Sequence, residues 1–143
     1  MATISPADQL EIHQLLAWYG HVVDWANWDR LSEVFTEAAV FEVRVPGSVG
    51  IHRGIDEIRE AYASPGPAGG EGAGPHHRPG HHCSNIVITE VDGHVRVLSK
   101  YFGPTQSGMM FNGEYEDEVV RTPQGWRITS RVVIPRRDAG LDP

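Results

Sequence analysis

With 143 residues, 40% of them hydrophobic, the chain is long enough for one domain with a real core. It contains no run of about 18 apolar residues and no basic-then-apolar start, so neither a membrane span nor a secretion signal is expected and the expected location is the cytoplasm. A net charge of −7, from 19 acidic and 12 basic residues, works against a nucleic-acid partner, and the single cysteine, Cys83, excludes an internal disulfide.

In chain order, Ser5-Pro6-Ala7-Asp8 supplies an N-cap, a proline at the first helical position and an acid at the third. Leu10, Ile12, Leu15, Leu16, Tyr19, Val22 and Val23 then recur at mostly three- and four-residue spacing, which predicts a helix to about Asp24 with one wide apolar face. Asn27 is placed to cap a second helix over residues 28–35, buried through Leu31, Val34 and Phe35. Residues 39–45 read as the first strand, Pro46-Gly47 as a turn, and 54–62 as a third helix buried through Ile55, Ile58 and Tyr62.

Residues 64–80 change to proline, glycine and histidine with no periodic apolar anchor. This predicts a long flexible loop that gates or borders a site, because it leads directly into His81. Strands are expected over 82–91 and 94–102, split by the turn Asp92-Gly93. Met109, Phe111, Gly113, Tyr115, Asp117 and Val119 share one parity of a further strand, and Asn112, Glu114, Glu116 and Glu118 the other. After the turn at Thr122 to Gly125, Trp126, Ile128, Ser130, Val132 and Ile134 alternate with Arg127, Thr129, Arg131 and Val133, and residues 136–143 read as a frayed tail. The whole chain is expected to be one α+β domain with an antiparallel meander in its second half.

Several residues draw chemical readings of their own. Asp117 sits on an apolar parity and calls for a cation, Arg121 or Arg131, in a structural ion pair. Cys83 reads as a buried inert thiol. The histidines from His76 to His82 do not read as a metal site, since neighbours in a strand point apart, and the glycine run of residues 69–74 is not a phosphate loop because no lysine follows it; no metal and no cofactor are expected. Ile86, Val87 and Ile88, and Val132, Val133 and Ile134, are apolar on both parities. Strands of that kind are covered on both faces, which predicts a homo-oligomer, with Arg127, Arg131, Arg136 and Arg137 available to the glutamate row.

Tyr19 with Asp24 five residues on, Trp28-Asp29-Arg30-Leu31, Phe35, Gly54 with Ile58, His81-His82-Cys83-Ser84-Asn85, Gly113 with Tyr115, Asp117 and Arg121, and Gly125-Trp126-Arg127-Ile128 with Arg131 together resemble the SnoaL-like branch of the nuclear transport factor 2 superfamily across nearly the whole chain. The resemblance implies a cystatin-like, cone-shaped barrel: a curved, mixed, mostly antiparallel sheet wrapped around N-terminal helices. It is nearest to scytalone dehydratase, the bile-acid dehydratase and hexachlorocyclohexane dehydrochlorinase, which eliminate a group from a small ring without a cofactor and assemble as dimers or, more usually among the dehydratases, trimers. A trimer is therefore favoured over a dimer.

The same resemblance implies that Asp24 orients His81 as general base and that Tyr19 donates to a substrate oxygen; it matches Arg131 to a pocket arginine. Strand parity, however, places Arg131 opposite Trp126 unless the strand is bulged. Tyr101, Tyr115, Trp28 and Phe111 complete the candidate substrate contacts. The acid that those dehydratases carry on the next meander strand is missing, with Ser99 or Tyr101 as the available substitutes. Elimination, isomerisation and cyclisation on a small hydrophobic cyclic substrate stay open, beside a non-catalytic small-molecule-binding or assembly domain of the same fold.

Overall fold

The computed structural model describes residues 4–45, 48–63, 80–104 and 110–136; the expected loop up to Pro79, and the tail beyond Arg136, lie outside them. Helix α1 (Pro6–Asp24) starts at a capping box, in which Ser5 Oγ accepts from the Asp8 N–H at 3.1 Å while the Asp8 carboxylate accepts from the Ser5 N–H at 3.3 Å. Ile12, Leu15, Leu16, Tyr19, Val22 and Val23 are buried, each aliphatic side chain contributing about 1.5–3 kcal/mol.

The second helix expected over residues 28–35 is instead a six-residue 3-10 turn, Trp28–Glu33. Asn27 makes no side-chain cap; its carbonyl accepts from the Arg30 N–H at 3.0 Å, and the Val34 N–H closes on Leu31 O at 3.0 Å. Six residues cannot offset helix nucleation, and the stretch gives way to β1 (Phe35–Val45), which begins four residues earlier than expected because Phe35 packs as a strand residue. Strand β2 (Ser48–Arg53) was not expected: Gly50 and His52 hide its alternation. Gly54, at φ +83°, turns the chain into α2 (Ile55–Ala63).

The meander follows as β3 (His82–Val91), β4 (His94–Pro104), β5 (Met110–Thr122) and β6 (Gly125–Pro135). Asp92 and Gly93, at φ +53° and +78°, have the pair of positive φ angles that a type I′ hairpin requires. The strands lie in one six-stranded sheet of order β2-β1-β6-β5-β4-β3, antiparallel except for the β1–β6 pair. The sheet does not close; β2 and β3 are its edges, α1 packs on β3 and β6, and α2 on β1 and β2.

Two bulges set which side chains face the helices. In β6, Val119 pairs with Ile128 but Glu118 with Ser130, so Thr129 is an extra residue. The slip lets even-numbered Ile128 and odd-numbered Arg131 both bury themselves on the same face. In β3, Asn85 at φ +53° and Ile86 stand opposite Ser99 alone. The Arg136 N–H bonds Asn112 O at 2.9 Å and its guanidinium bonds Glu114, so this residue extends the ladder rather than fraying.

Candidate active site

The last two turns of α1 and the entry to β3 meet without an intervening side chain. Gly20 lies against the His81 backbone, and a Cβ added there would sit 2.9 Å from His81 O. This close approach brings Asp24 to His81: Oδ1 is 2.5 Å from Nδ1, and Oδ2 accepts the His81 backbone N–H at 2.9 Å. A carboxylate can only accept, so Nδ1 carries the proton and the neutral ring keeps its lone pair on Nε2. Both side chains are partly accessible, 26% for Asp24 and 22% for His81. A cleft of about 540 Å³ between α1 and the edge strand β3 is lined by Tyr19, Asp24 and His81, with Leu16, Ile86 and Phe102 among its apolar walls.

Behind the dyad lies an aromatic interior. The Tyr19 hydroxyl is 2.6 Å from that of Tyr62, Tyr19 meets Tyr115 edge-on at 5.8 Å, and Tyr115 stacks on Tyr101 at 4.4 Å. Phe111 approaches the His81 ring edge-on at 5.6 Å, while Trp28 stacks on Tyr62 at 5.6 Å, separated from His81 by the tyrosines. Burial pushes the Tyr62 and Tyr115 phenols well up and that of Tyr101 up to about 12, with the Tyr19 phenol adding to each. All three stay neutral hydrogen-bonding groups.

Arg131 is fully buried, sandwiched between the Tyr19 and Tyr115 rings at 4.0 and 4.1 Å, and holds Asp117 through two bonds of 2.7 Å. Burial works to discharge the guanidinium, but Asp117 outweighs it and its pKa lies well above the ordinary value. Asp117 therefore takes Arg131 and not Arg121, which binds Asp8 and Glu11. Among the described residues Arg131 Nη1 has no hydrogen-bond partner. Burial raises the Cys83 thiol, with the Ser99 hydroxyl and Arg131 opposing, which leaves a thiol and not a thiolate nucleophile.

Tyr62 is the site residue that sequence reasoning placed only in the core. It shares a helix face with the aliphatic Ile55 and Ile58, where a phenol needs a buried polar partner, and that requirement was its one available signal. Among the described residues, the inward positions of β4, from Val95 through Val97, Ser99 and Tyr101 to Gly103, supply no second carboxylate or imidazole, and no three histidine, cysteine or acidic side chains converge as metal ligands. Residues 76–79 of the histidine-rich stretch lie outside the described part.

The open, curved, mixed sheet with its packed helices is the cystatin-like, nuclear transport factor 2-like fold. The chain belongs to the SnoaL-like domain family, which it matches over residues 5–132. It is 32% identical over 133 residues to an uncharacterized protein of Mycobacterium tuberculosis, an alignment covering 88% of this chain and 84% of that one. A cystatin-like protein of unknown function from Nostoc punctiforme superposes with a TM-score of 0.76 at 18% identity, covering 99% of this chain and all of that one. A scytalone dehydratase-like protein of Novosphingobium aromaticivorans superposes with a TM-score of 0.66 at 21% identity, covering 92% and 85%. At these identities the two structures share the fold with this chain.

Proposed function

We propose that the protein is a cofactor-independent lyase or isomerase acting on a small hydrophobic cyclic substrate. His81 Nε2 removes a proton from a carbon acid, Asp24 holds the tautomer and stabilises the imidazolium that forms, and Tyr19 stabilises the developing oxyanion from its hydroxyl. The 2.5 Å Asp24–His81 contact, opening on a cleft of about 540 Å³, is the observation that carries this reading. Stepwise elimination through an enolate, isomerisation and aldol-type cyclisation all begin with that proton transfer, so the experiment measures it directly: deuterium exchange from D2O into a panel of cyclic ketones, followed by NMR. The wild-type protein should catalyse exchange α to the carbonyl, and His81→Ala should lower it by roughly 10²–10⁴-fold with an unchanged circular dichroism spectrum. Exchange that persists in His81→Ala would remove His81 from the mechanism.

The second reading is a non-catalytic binding or assembly domain. The inward face of β4, without a second acid, favours it, as does an interior whose one guanidinium is already committed to Asp117. Ligand binding in the cleft with no exchange on any member of the panel would select this reading.

A further inference from the structure

We infer that Arg131 serves the proposed reaction through Tyr19 and without touching the substrate. Its guanidinium is a fixed positive charge behind the Tyr19 ring, and the negative charge that builds on the substrate oxygen is stabilised against it by way of the Tyr19 hydroxyl. This rests on Tyr19 meeting the substrate oxygen, as in the proposed function, and it turns Arg131 from a candidate substrate contact into a positioning residue.

Arg131 has no open side. Its side chain and that of Asp117 are both 0% exposed, Nε and Nη2 each hold an Asp117 oxygen at 2.7 Å, and the Tyr19 and Tyr115 rings pack against the guanidinium at 4.0 and 4.1 Å. The remaining nitrogen, Nη1, is buried as well. The slip at Thr129 turns this residue inward, in register with Asp117. Among the described residues the cleft is lined by Tyr19 and not by Arg131, so a molecule held there meets the phenol with the cation behind it.

The ion pair is not electrically silent towards that phenol. A carboxylate bound through two parallel bonds lies in the guanidinium plane, so Asp117 offsets the charge along one edge while the rings meet it directly. Burial raises the Tyr62 and Tyr115 phenols most, and in both Arg131 is the charge that works against it, so the pair presents its positive end to the tyrosines. In a water-free interior such a charge acts with little screening and needs no reorganisation as the reaction proceeds. Tyr62 fits the same arrangement: a hydroxyl has one proton, and when Tyr19 gives its own to the substrate, the 2.6 Å contact is donated by Tyr62.

The test is calorimetric titration of the full-length protein with 4-nitrophenolate, a flat oxyanion, and with its neutral methyl ether 4-nitroanisole, at about pH 8.5, where free tyrosine phenols keep their protons. The wild-type protein should bind the anion about tenfold more tightly than the ether, and the preference should fall below about threefold both in Tyr19→Phe and in R131M/D117L, which removes the two charges together. Loss of packing alone would weaken both ligands alike and leave their ratio unchanged. No preference in the wild type, or a preference that survives in R131M/D117L, would overturn the inference. Contact is read by NMR on wild-type protein labelled with nitrogen-15 on arginine and carbon-13 on tyrosine rings: 4-nitrophenolate should shift Tyr19 and leave the Arg131 Nη signals in place. A ligand-induced Nη shift, or an unmoved Tyr19, overturns the inference too, and this arm decides the matter if R131M/D117L does not fold. Neither arm needs turnover. A preference that survives in R131M/D117L alongside His81-dependent deuterium exchange rejects this inference and leaves the proposed function standing; a preference lost in both variants with no exchange on any ketone upholds the coupling of Arg131 to Tyr19 and rejects the reaction.

Discussion

At Arg131 the chain buries a full positive charge, and one carboxylate, Asp117, makes that tolerable. Removing one partner strands the other, so Arg131→Met should destabilise by about 3–5 kcal/mol, whereas R131M combined with D117L should lose less than that single change, since neither charge is then left alone. Urea denaturation of the three proteins checks the order; a double variant as unstable as R131M would mean that packing on Tyr19 and Tyr115, and not charge, is what Arg131 supplies. The Tyr19–Tyr62 contact is a second case at this scale. Tyr62→Phe keeps the ring stacked on Trp28 but leaves the Tyr19 hydroxyl without its 2.6 Å partner, and about 1–3 kcal/mol of stability should go with it. A wild-type midpoint in Tyr62→Phe would show that Tyr19 finds its partner elsewhere.

Among elements, the junction of α1 with β3 determines the geometry of the dyad. Gly20→Ala places a methyl 2.9 Å from a backbone carbonyl that cannot rotate away, so the helix or the strand has to shift. The expected result is about 1–3 kcal/mol of destabilisation together with slower deuterium exchange, read by thermal melting and NMR. Retained exchange would show that Asp24 and His81 tolerate the displacement. How much of this the sequence disclosed depends on how local each signal is. The capping box at Ser5 and Asp8, the Asp92-Gly93 turn and the alternation of β5 are complete within a few residues and were legible. The position of the extra Thr129 was not, because a bulge is defined by pairing with Glu118 on another strand; parity alone could say only that Arg131 lies opposite Trp126 unless β6 is bulged, and the slip at Thr129 meets that condition. Likewise β2 is held by its register with β1, from Val40 against Arg53 to Val45 against Ser48, and not by a pattern of its own. Asp24 and His81 were legible as residues through a family resemblance; the Gly20 contact that joins them, 61 residues from the strand it touches by number (81 − 20), was not.

For the molecule as a whole, the outer face of the sheet carries a row that runs across all six strands: Val87, Leu98, Glu116, Val132, Glu42 and Ile51. Val87 and Leu98 are 54% and 46% exposed, and Phe102 lies nearby on the same face of β4. The expected assembly through this face is a homo-oligomer, a trimer ahead of a dimer, which Leu98→Lys should dissociate. Light scattering checks it, and a wild-type mass near 15.8 kDa would refute it. Alkaline pH acts on the other face. Tyr62, Tyr101 and Tyr115 have folded-state pKa values raised above the unfolded value of about 10, so their contribution is fully present below that pH and is lost as the pH rises through their folded values, about 12 for Tyr101. Circular dichroism should show unfolding beginning above about pH 10, and Tyr101→Phe should move its onset upward.

The chain has four tyrosines, and Tyr19, Tyr62, Tyr101 and Tyr115 all belong to the one cluster behind the dyad. Nature has in effect labelled this protein. Isotope introduced on tyrosine rings alone would yield four sets of resonances, every one originating within the interior that adjoins His81, with no background from the surface. A compound that enters the cleft and moves Tyr19 would shift those signals whether or not it is turned over, so candidate substrates can be sorted by ear before any reaction is known.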